Sequence, residues 1–335
     1  MPDDLRSALA DLHKIDLHRH LEGSVRPATV AEICRTHHIE LPTYDAGELA
    51  AMLQLSKPAD DLAGFLMPFR LIKFSFVDKE AIARIAFEAA EDAWLDNVHY
   101  VELRFSPEFM AFYHKLKLSD VMDGIVRGTN LAMRRMPITA KLIVSISRDL
   151  SPETMHMPWP SPVELARLAV DYADRGVVGL DLAGREEGYP ADLFIEPFRI
   201  ARSAGLGITV HAGEDSGPES IREAIQDLGA TRIGHGVRIV RDPDLLKTAR
   251  DGGITLEICP TSNVLTHAVE SLERHPIREL FDAGVRLTVN TDDPTVCGVT
   301  LTDEYALIAE KFGFTLDEIG RLVENARNAA FHRVA

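Results

Sequence analysis

Eight apolar runs rich in β-branched residues alternate with amphipathic helical segments along this chain of 335 residues. The alternation predicts an α/β fold, and eight repeats of it predict a (β/α)8 TIM barrel around a buried parallel sheet. Two further observations agree. Glycines stand where helices must close before the next strand, at Gly176, Gly205, Gly229, Gly252 and Gly284. Ionisable residues gather at the C-terminal ends of the runs, the face on which such barrels carry chemistry. A doubly wound open sheet is the competing architecture, but no Gly-rich phosphate loop follows the first strand.

The first strand is expected over residues 14–18, leading into Ile15-Asp16-Leu17-His18-Arg19-His20. The stretch from about 32 to 91 is too long for one crossover, so extra helices should be inserted after strand 1. Within it, Leu62, Phe65, Leu66 and Phe69 are spaced for one helical face. Strand 2 (98–104) runs into Glu102-Leu103-Arg104-Phe105-Ser106-Pro107, and strand 3 covers 140–147. A helical stripe of Leu165, Leu168, Ala169 and Tyr172 leads to strand 4 (177–182), which ends at Asp181-Leu182-Ala183-Gly184. Strand 5 (207–211) ends in His211-Ala212-Gly213-Glu214, and strand 6 (231–234) in Gly234-His235-Gly236. Strand 7 (253–259) precedes Thr261-Ser262-Asn263, and strand 8 (286–291) precedes Asp292-Asp293-Pro294.

Composition narrows the classes. With 46% hydrophobic and 26% charged residues, the chain reads as a soluble globular protein, one domain over 1–335. A formal charge of −16 repels phosphate backbones, so no nucleic acid is expected as partner. Cys34, Cys259 and Cys297 are odd in number and widely spaced, which implies no disulfide framework. There is neither a signal-peptide pattern at the N-terminus nor an apolar run long enough for a bilayer, so a cytoplasmic setting without membrane contact is expected.

Residues two apart in a strand face the same side, so His18 and His20 present their imidazoles to one point. An HxH pair also occurs on ordinary surfaces, and a lone His211 could be a hydrogen-bonded core residue. At strand ends of one barrel, however, His18, His20 and His211 with Asp292 form a three-nitrogen, one-oxygen set that suits a catalytic zinc with an open position for water. His235 lies between two glycines that let its backbone approach closely. Glu214 follows His211 by three residues, where it could equally be a helix-start acid.

These segments, in this order from residue 16 to residue 294, resemble the adenosine deaminase family of the amidohydrolase superfamily. The resemblance implies one Zn2+ per chain, held by His18, His20, His211 and Asp292. It implies that Glu214 protonates N1 of a purine ring while hydroxide adds at C6. His235 is then base or electrostatic orienter of the reacting water, with a fourth metal ligand as the rival role. Asp293 would hydrogen-bond at N7, and Pro294 keeps it extended and pointing away from Asp292. Gly184 would offer its backbone N–H to N3. Leu62, Phe65, Leu66 and Phe69 resemble the family's apolar gate, serving as core and lid together. The expected activity is hydrolytic deamination of a small-molecule purine, adenosine or 2′-deoxyadenosine, by a monomer or homodimer.

Two departures bear on the substrate. Glu22 follows the HxHL motif where nucleoside-specific members usually carry Asp against the ribose 5′-hydroxyl, and Arg185 replaces the usual Asp after Gly184. They leave open adenine itself, or a 5′-modified nucleoside such as the carboxylated 6-aminodeoxyfutalosine. Three other readings compete. A binuclear amidohydrolase would need a bridging lysine at a strand end, but Lys141 lies near the start of its strand. A catalytically inactive purine-binding protein should lack a ligand or an acid, and none is missing. A growth-factor-like relative should carry a signal peptide.

Overall fold

The computed structural model describes residues 3–149 and 159–334. Among them, eight strands pair in chain order, each parallel to the next: β1 (Lys14–His20), β2 (Val98–Phe105), β3 (Thr139–Ser147), β4 (Val177–Ala183), β5 (Gly207–Ala212), β6 (Arg232–His235), β7 (Thr255–Ile258) and β8 (Arg286–Val289). Helices lie between them and cover the outer face, the strands' own side chains fill the interior, and the strands are almost wholly buried. The predicted barrel is what forms. No helix among the described residues is long and apolar enough to cross a membrane.

The seam between β8 and β1 matters most for function. The ladder there is replaced by contacts around Asp292. The His20 amide donates to the Asp292 carbonyl (2.7 Å), and the Asp292 amide donates to the His18 carbonyl (2.8 Å). β8 stops before residue 291 because the Asn290 side chain takes over the pairing. Its Oδ1 accepts from the Leu17 amide (3.0 Å) and its Nδ2 donates to Thr288 Oγ1 (2.9 Å). The loop that carries Asp292 therefore closes the barrel.

Several expectations shift in detail. β1 continues to His20, with a register shift against β2 between Asp16 and Arg19. β7 begins two residues late because the helix Pro243–Asp251 is closed by Gly253 (φ 66°), whereas Gly252 keeps ordinary helical angles. The insertion after β1 does hold extra helices, Pro27–Thr36, Ala46–Leu53, Leu62–Phe65 and Phe69–Ile72, before the crossover helix Lys79–Leu95. The apolar stripe of residues 62–69 is thus two short helices. Asp61 caps the first by accepting from the Gly64 amide (2.8 Å), and Pro68, which has no N–H to give, stands at the start of the second.

Candidate active site

Four strand ends bring the predicted ligands and His235 to one point. One ligand atom from each of His18, His211, His235 and Asp292 falls within 4.8 Å of the others. His20 belongs to the same cluster: its Nε2 lies 3.2 Å from His211 Nε2 and 3.3 Å from Asp292 Oδ1. His18 Nε2 lies 3.2 Å from Asp292 Oδ1. His235 and Asp292 are both non-glycine residues held at φ near 60° (62° and 60°), backbone strain of the kind that collects at functional sites.

The groups behind the ring nitrogens decide what this cluster can hold. His18 Nδ1 meets Glu257 Oε2 at 2.9 Å, and His211 Nδ1 meets Asp181 Oδ1 at 3.0 Å. A carboxylate accepts only, so each Nδ1 carries the proton and each Nε2 turns a bare lone pair towards the centre. His18 Nε2 is fully buried without a hydrogen-bond partner, and it faces a carboxylate oxygen. Lone pairs facing lone pairs in a buried site need a cation between them. The donor set, several imidazole nitrogens and one carboxylate, fits a zinc-type metal.

Asp181 and Glu257 are functional residues that sequence reasoning missed. Both are fully buried and held below the usual carboxylate range. Burial alone would raise them. It is outweighed by His211 and Arg104 at Asp181, and by Arg104 and Arg232 at Glu257. Arg104 Nη2 lies 2.7 Å from Glu257 and Nη1 lies 3.4 Å from Asp181. Arg232 contacts Glu257 (2.5 Å) and Glu102 (2.7 Å). Glu257 was detectable in principle, as a lone charge between Leu256 and Ile258 in a buried strand.

Above the cluster opens a cavity of about 340 Å3. His20, His211, His235, Asp292, Glu214, Glu22, Asp293, Gly184, Leu62, Phe65, Leu66 and Phe69 all line it, and His18 lies fully buried among the ligand atoms. Of the residues singled out in the sequence for the site, all but Arg185 are therefore brought to one place. Phe65 and Phe69 are buried while Leu66 is 41% exposed, which fits a wall that is core on one side and gate on the other.

Burial, then the charge of Asp292, holds the Glu214 carboxyl well above its usual range. Its Oε2 lies 3.5 Å from His235 Nε2. The loop that carries it is set by Glu186, another residue missed from sequence. Glu186 accepts from the backbone amides of Gly213 (2.8 Å), Glu214 (2.9 Å) and Asp215 (2.8 Å). Glu22 accepts from the Ser106 amide (2.7 Å), and burial pushes its carboxyl up to about 8. Asp293 packs against Gly23 so closely that a Cβ there would sit 1.7 Å from Asp293 Oδ1.

Arg185 departs from expectation. It is 58% exposed, pairs with Glu187 (3.1 Å) and does not line the cavity. The cations that do line it are Arg70 and Lys73, from the inserted helices. Being next to Gly184 in sequence placed Arg185 near the site without aiming its side chain at it.

The comparisons with known proteins agree with this geometry. A family model described as adenosine deaminase matches residues 13–334. An adenosine deaminase from Shewanella denitrificans is 39% identical over 317 residues, covering 95% of this chain and 93% of that one. One from Pectobacterium atrosepticum is 40% identical over 328 residues, covering 98% and 94%. Among solved structures, an adenine deaminase from Arthrobacter aurescens superposes with a TM-score of 0.85 at 25% identity, covering 96% of this chain and 94% of that one. An amidohydrolase from Burkholderia ambifaria with bound Zn gives 0.84 at 26%, covering 99% and 89%. An Arabidopsis N6-mAMP deaminase gives 0.83 at 29%, covering 98% and 96%. With the family model spanning nearly its whole length, the chain belongs to the adenosine deaminase family.

Proposed function

We propose that this protein hydrolyses the 6-amino group of a purine nucleoside, adenosine or 2′-deoxyadenosine, to the 6-oxo product and ammonia, with one zinc held by His18, His20, His211 and Asp292. The observation that carries this reading is the set of inward imidazole lone pairs facing one carboxylate at the floor of a cavity, with Glu214, whose carboxyl is held above its usual range by burial, at its wall. A zinc ion bound there supplies Lewis acidity and hydroxide at neutral pH.

The side chains supply the rest. Glu214 gives its proton to N1 as oxygen adds at C6, cancelling the charge that would otherwise build on the ring. His235 orients the attacking oxygen. Asp293 meets N7, and the Gly184 amide meets N3. Leu62, Phe65, Leu66 and Phe69 exclude water over the sugar. In net, water contributes the oxygen and the amino group leaves as ammonia. We place the reaction in the cytoplasm, by a monomer or homodimer.

A second substrate reading rests on Arg70 and Lys73. Lys73 stacks on Phe74 and Tyr113 (5.4 and 5.3 Å to the ring centroids), and Arg70 makes no ion pair with another described residue. Two cations at the cavity favour a nucleoside with an anionic 5′ substituent. A structurally similar Arabidopsis protein, ADAL, has been solved with GMP and with IMP.

The test is a panel on zinc-loaded protein, adenosine, 2′-deoxyadenosine, adenine, AMP and 6-aminodeoxyfutalosine, compared by ammonia release and kcat/KM. Preference for the two unmodified nucleosides upholds the first reading. Preference for an anionic substrate that R70E/K73E abolishes upholds the second. No ammonia from any of them rejects purine deamination.

A further inference from the structure

We propose that His275 and Asn263 are positioning residues that fix the tautomer of His235, so that His235 meets the reacting centre as a hydrogen-bond donor and not as a metal ligand. The proposal uses the deaminase reading only for what His235 acts on. The tautomer follows from a chain of hydrogen bonds that begins at a backbone amide.

The Ile277 amide lies 3.2 Å from His275 Nδ1. A backbone N–H can only donate, so Nδ1 is the acceptor nitrogen of that ring. His275 is 5% exposed, and burial pushes it down to about 4, so the ring is neutral and its proton sits on Nε2. His275 Nε2 lies 3.2 Å from Asn263 Oδ1 and donates to it. That fixes the amide. Asn263 Nδ2 faces His235 Nδ1 at 2.9 Å and donates in turn. His235 Nδ1 is then an acceptor, and the proton of a neutral His235 ring must be on Nε2. This nitrogen points at acceptors, Glu214 Oε2 (3.5 Å) and Asp292 Oδ2 (3.9 Å).

The contrast with the neighbouring rings sharpens the assignment. Behind His18 and His211 stand carboxylates, which protonate Nδ1 and free Nε2 as a ligand. Behind His235 stands an amide N–H, which does the opposite. A nitrogen that holds a proton has no lone pair for a metal. Four imidazoles thus meet at one point, and the group behind the ring tells His235 apart from His18 and His211. Pro276 supports the arrangement by holding His275 extended (φ −70°, ψ 125°), with its ring turned back on the Ile277 amide.

The test is Asn263→Asp, which keeps the shape but accepts from both rings and so forces the proton of His235 onto Nδ1. Protein labelled with 15N-histidine and loaded with zinc reports the tautomer directly, the His235 signals being assigned by their absence in His235→Gln. Wild type should show His235 with Nε2 protonated and Nδ1 bare, and N263D the reverse. An inverted imidazole tautomer lowers kcat about 10^4-fold in the serine-protease triad. N263D should lose at least about 10^2-fold in kcat here, with KM and zinc content within twofold of wild type.

His275→Gln, which can still donate to Asn263, should keep the wild-type tautomer signature, and His275→Leu should lose it. A wild-type His235 protonated on Nδ1 or bound to zinc through Nε2, or an N263D protein that keeps Nε2–H, overturns the proposal. Should N263D not fold, the wild-type spectrum and the two His275 variants decide it. Absence of deaminase activity would sink the functional reading while leaving the tautomer result standing.

Discussion

Glu257→Gln probes the link between the barrel interior and the metal cluster. Glu257 Oε2 serves His18 Nδ1 (2.9 Å) and Arg104 Nη2 (2.7 Å), and Oε1 serves Arg232 Nε (2.5 Å). Glutamine keeps the volume and removes the charge. Either orientation of its amide sets an NH2 group against a guanidinium, so one side must break. Breaking a buried ion pair costs about 3–5 kcal/mol. Arg104 retains Asp181 and Arg232 retains Glu102, which argues for the lower end, about 3 kcal/mol.

That is a large part of the roughly 5–15 kcal/mol that holds a domain folded. The loss of the acceptor behind His18 should also weaken zinc about 10–100-fold. Urea unfolding of the metal-free protein reads the first effect, and titration against a competing chelator reads the second. A variant within 1 kcal/mol of wild type and within twofold in zinc affinity would refute the reasoning, because the carboxylate would then be neither balancing the guanidiniums nor orienting His18.

Other outcomes follow from the same geometry. Gly23→Ala drives a methyl into Asp293 and should lower kcat/KM at least about 10-fold with zinc content unchanged, read by ammonia release and metal analysis. Glu186→Gln replaces a charged acceptor of three amides and should cost about 1.5–3 kcal/mol in urea unfolding. Glu304 is fully buried and its carboxyl is pushed up to about 8 by burial, so the folded state holds a proton that the unfolded chain releases above about 4.5. Its contribution is therefore favourable at pH 4 and is lost as pH rises towards 8, a change of about 3 kcal/mol by pH 7. Glu304→Gln should gain on wild type in urea midpoint between pH 5 and pH 8, and a pH-independent difference would refute this. Chelator treatment should lower stability by about 4 kcal/mol relative to protein held at a thousandfold excess of zinc over its Kd. Equal melting curves would count against a structural hold of the cluster on metal.

Sequence reasoning reached the barrel because strand and helix periodicities differ, and eight alternations leave few architectures. It reached His18, His20, His211, Glu214, His235 and Asp292 for a geometric reason. A barrel gathers the ends of its strands, so residues far apart in sequence become neighbours once their place on a strand is known. The same logic fails one layer further out. Glu186 and His275 lie on connections whose path no periodicity fixes, and each acts through backbone amides and a side chain that only the folded loops bring near. Arg185 shows the converse failure, since adjacency to Gly184 says nothing about the direction of a long side chain on a turn. The closure of β8 on β1 was also hidden, because it rests on the Asn290 side chain and on Asp292 at positive φ instead of on a ladder.

Charge inside the barrel is consistent with a metal at the same cluster. Four buried carboxylates, Glu102, Asp181, Glu257 and Asp292, lie among the guanidiniums of Arg104 and Arg232, with the buried Arg148 also near Asp181 and Glu186. The carboxylates outnumber the guanidiniums, and burying an uncompensated negative charge would cost several kcal/mol. Protons are not spread freely over these acids, since Arg104 and Arg232 hold Glu257, and His211 and Arg104 hold Asp181, in the ionised form. The excess lies beside Asp292, where the inward Nε2 atoms converge. A metal cation at that point would offset negative charge and give the lone pairs a common partner. The buried arginines therefore do more than fill space. They keep the carboxylates behind His18 and His211 charged, and those carboxylates keep the inward nitrogens bare, which fits a metal site.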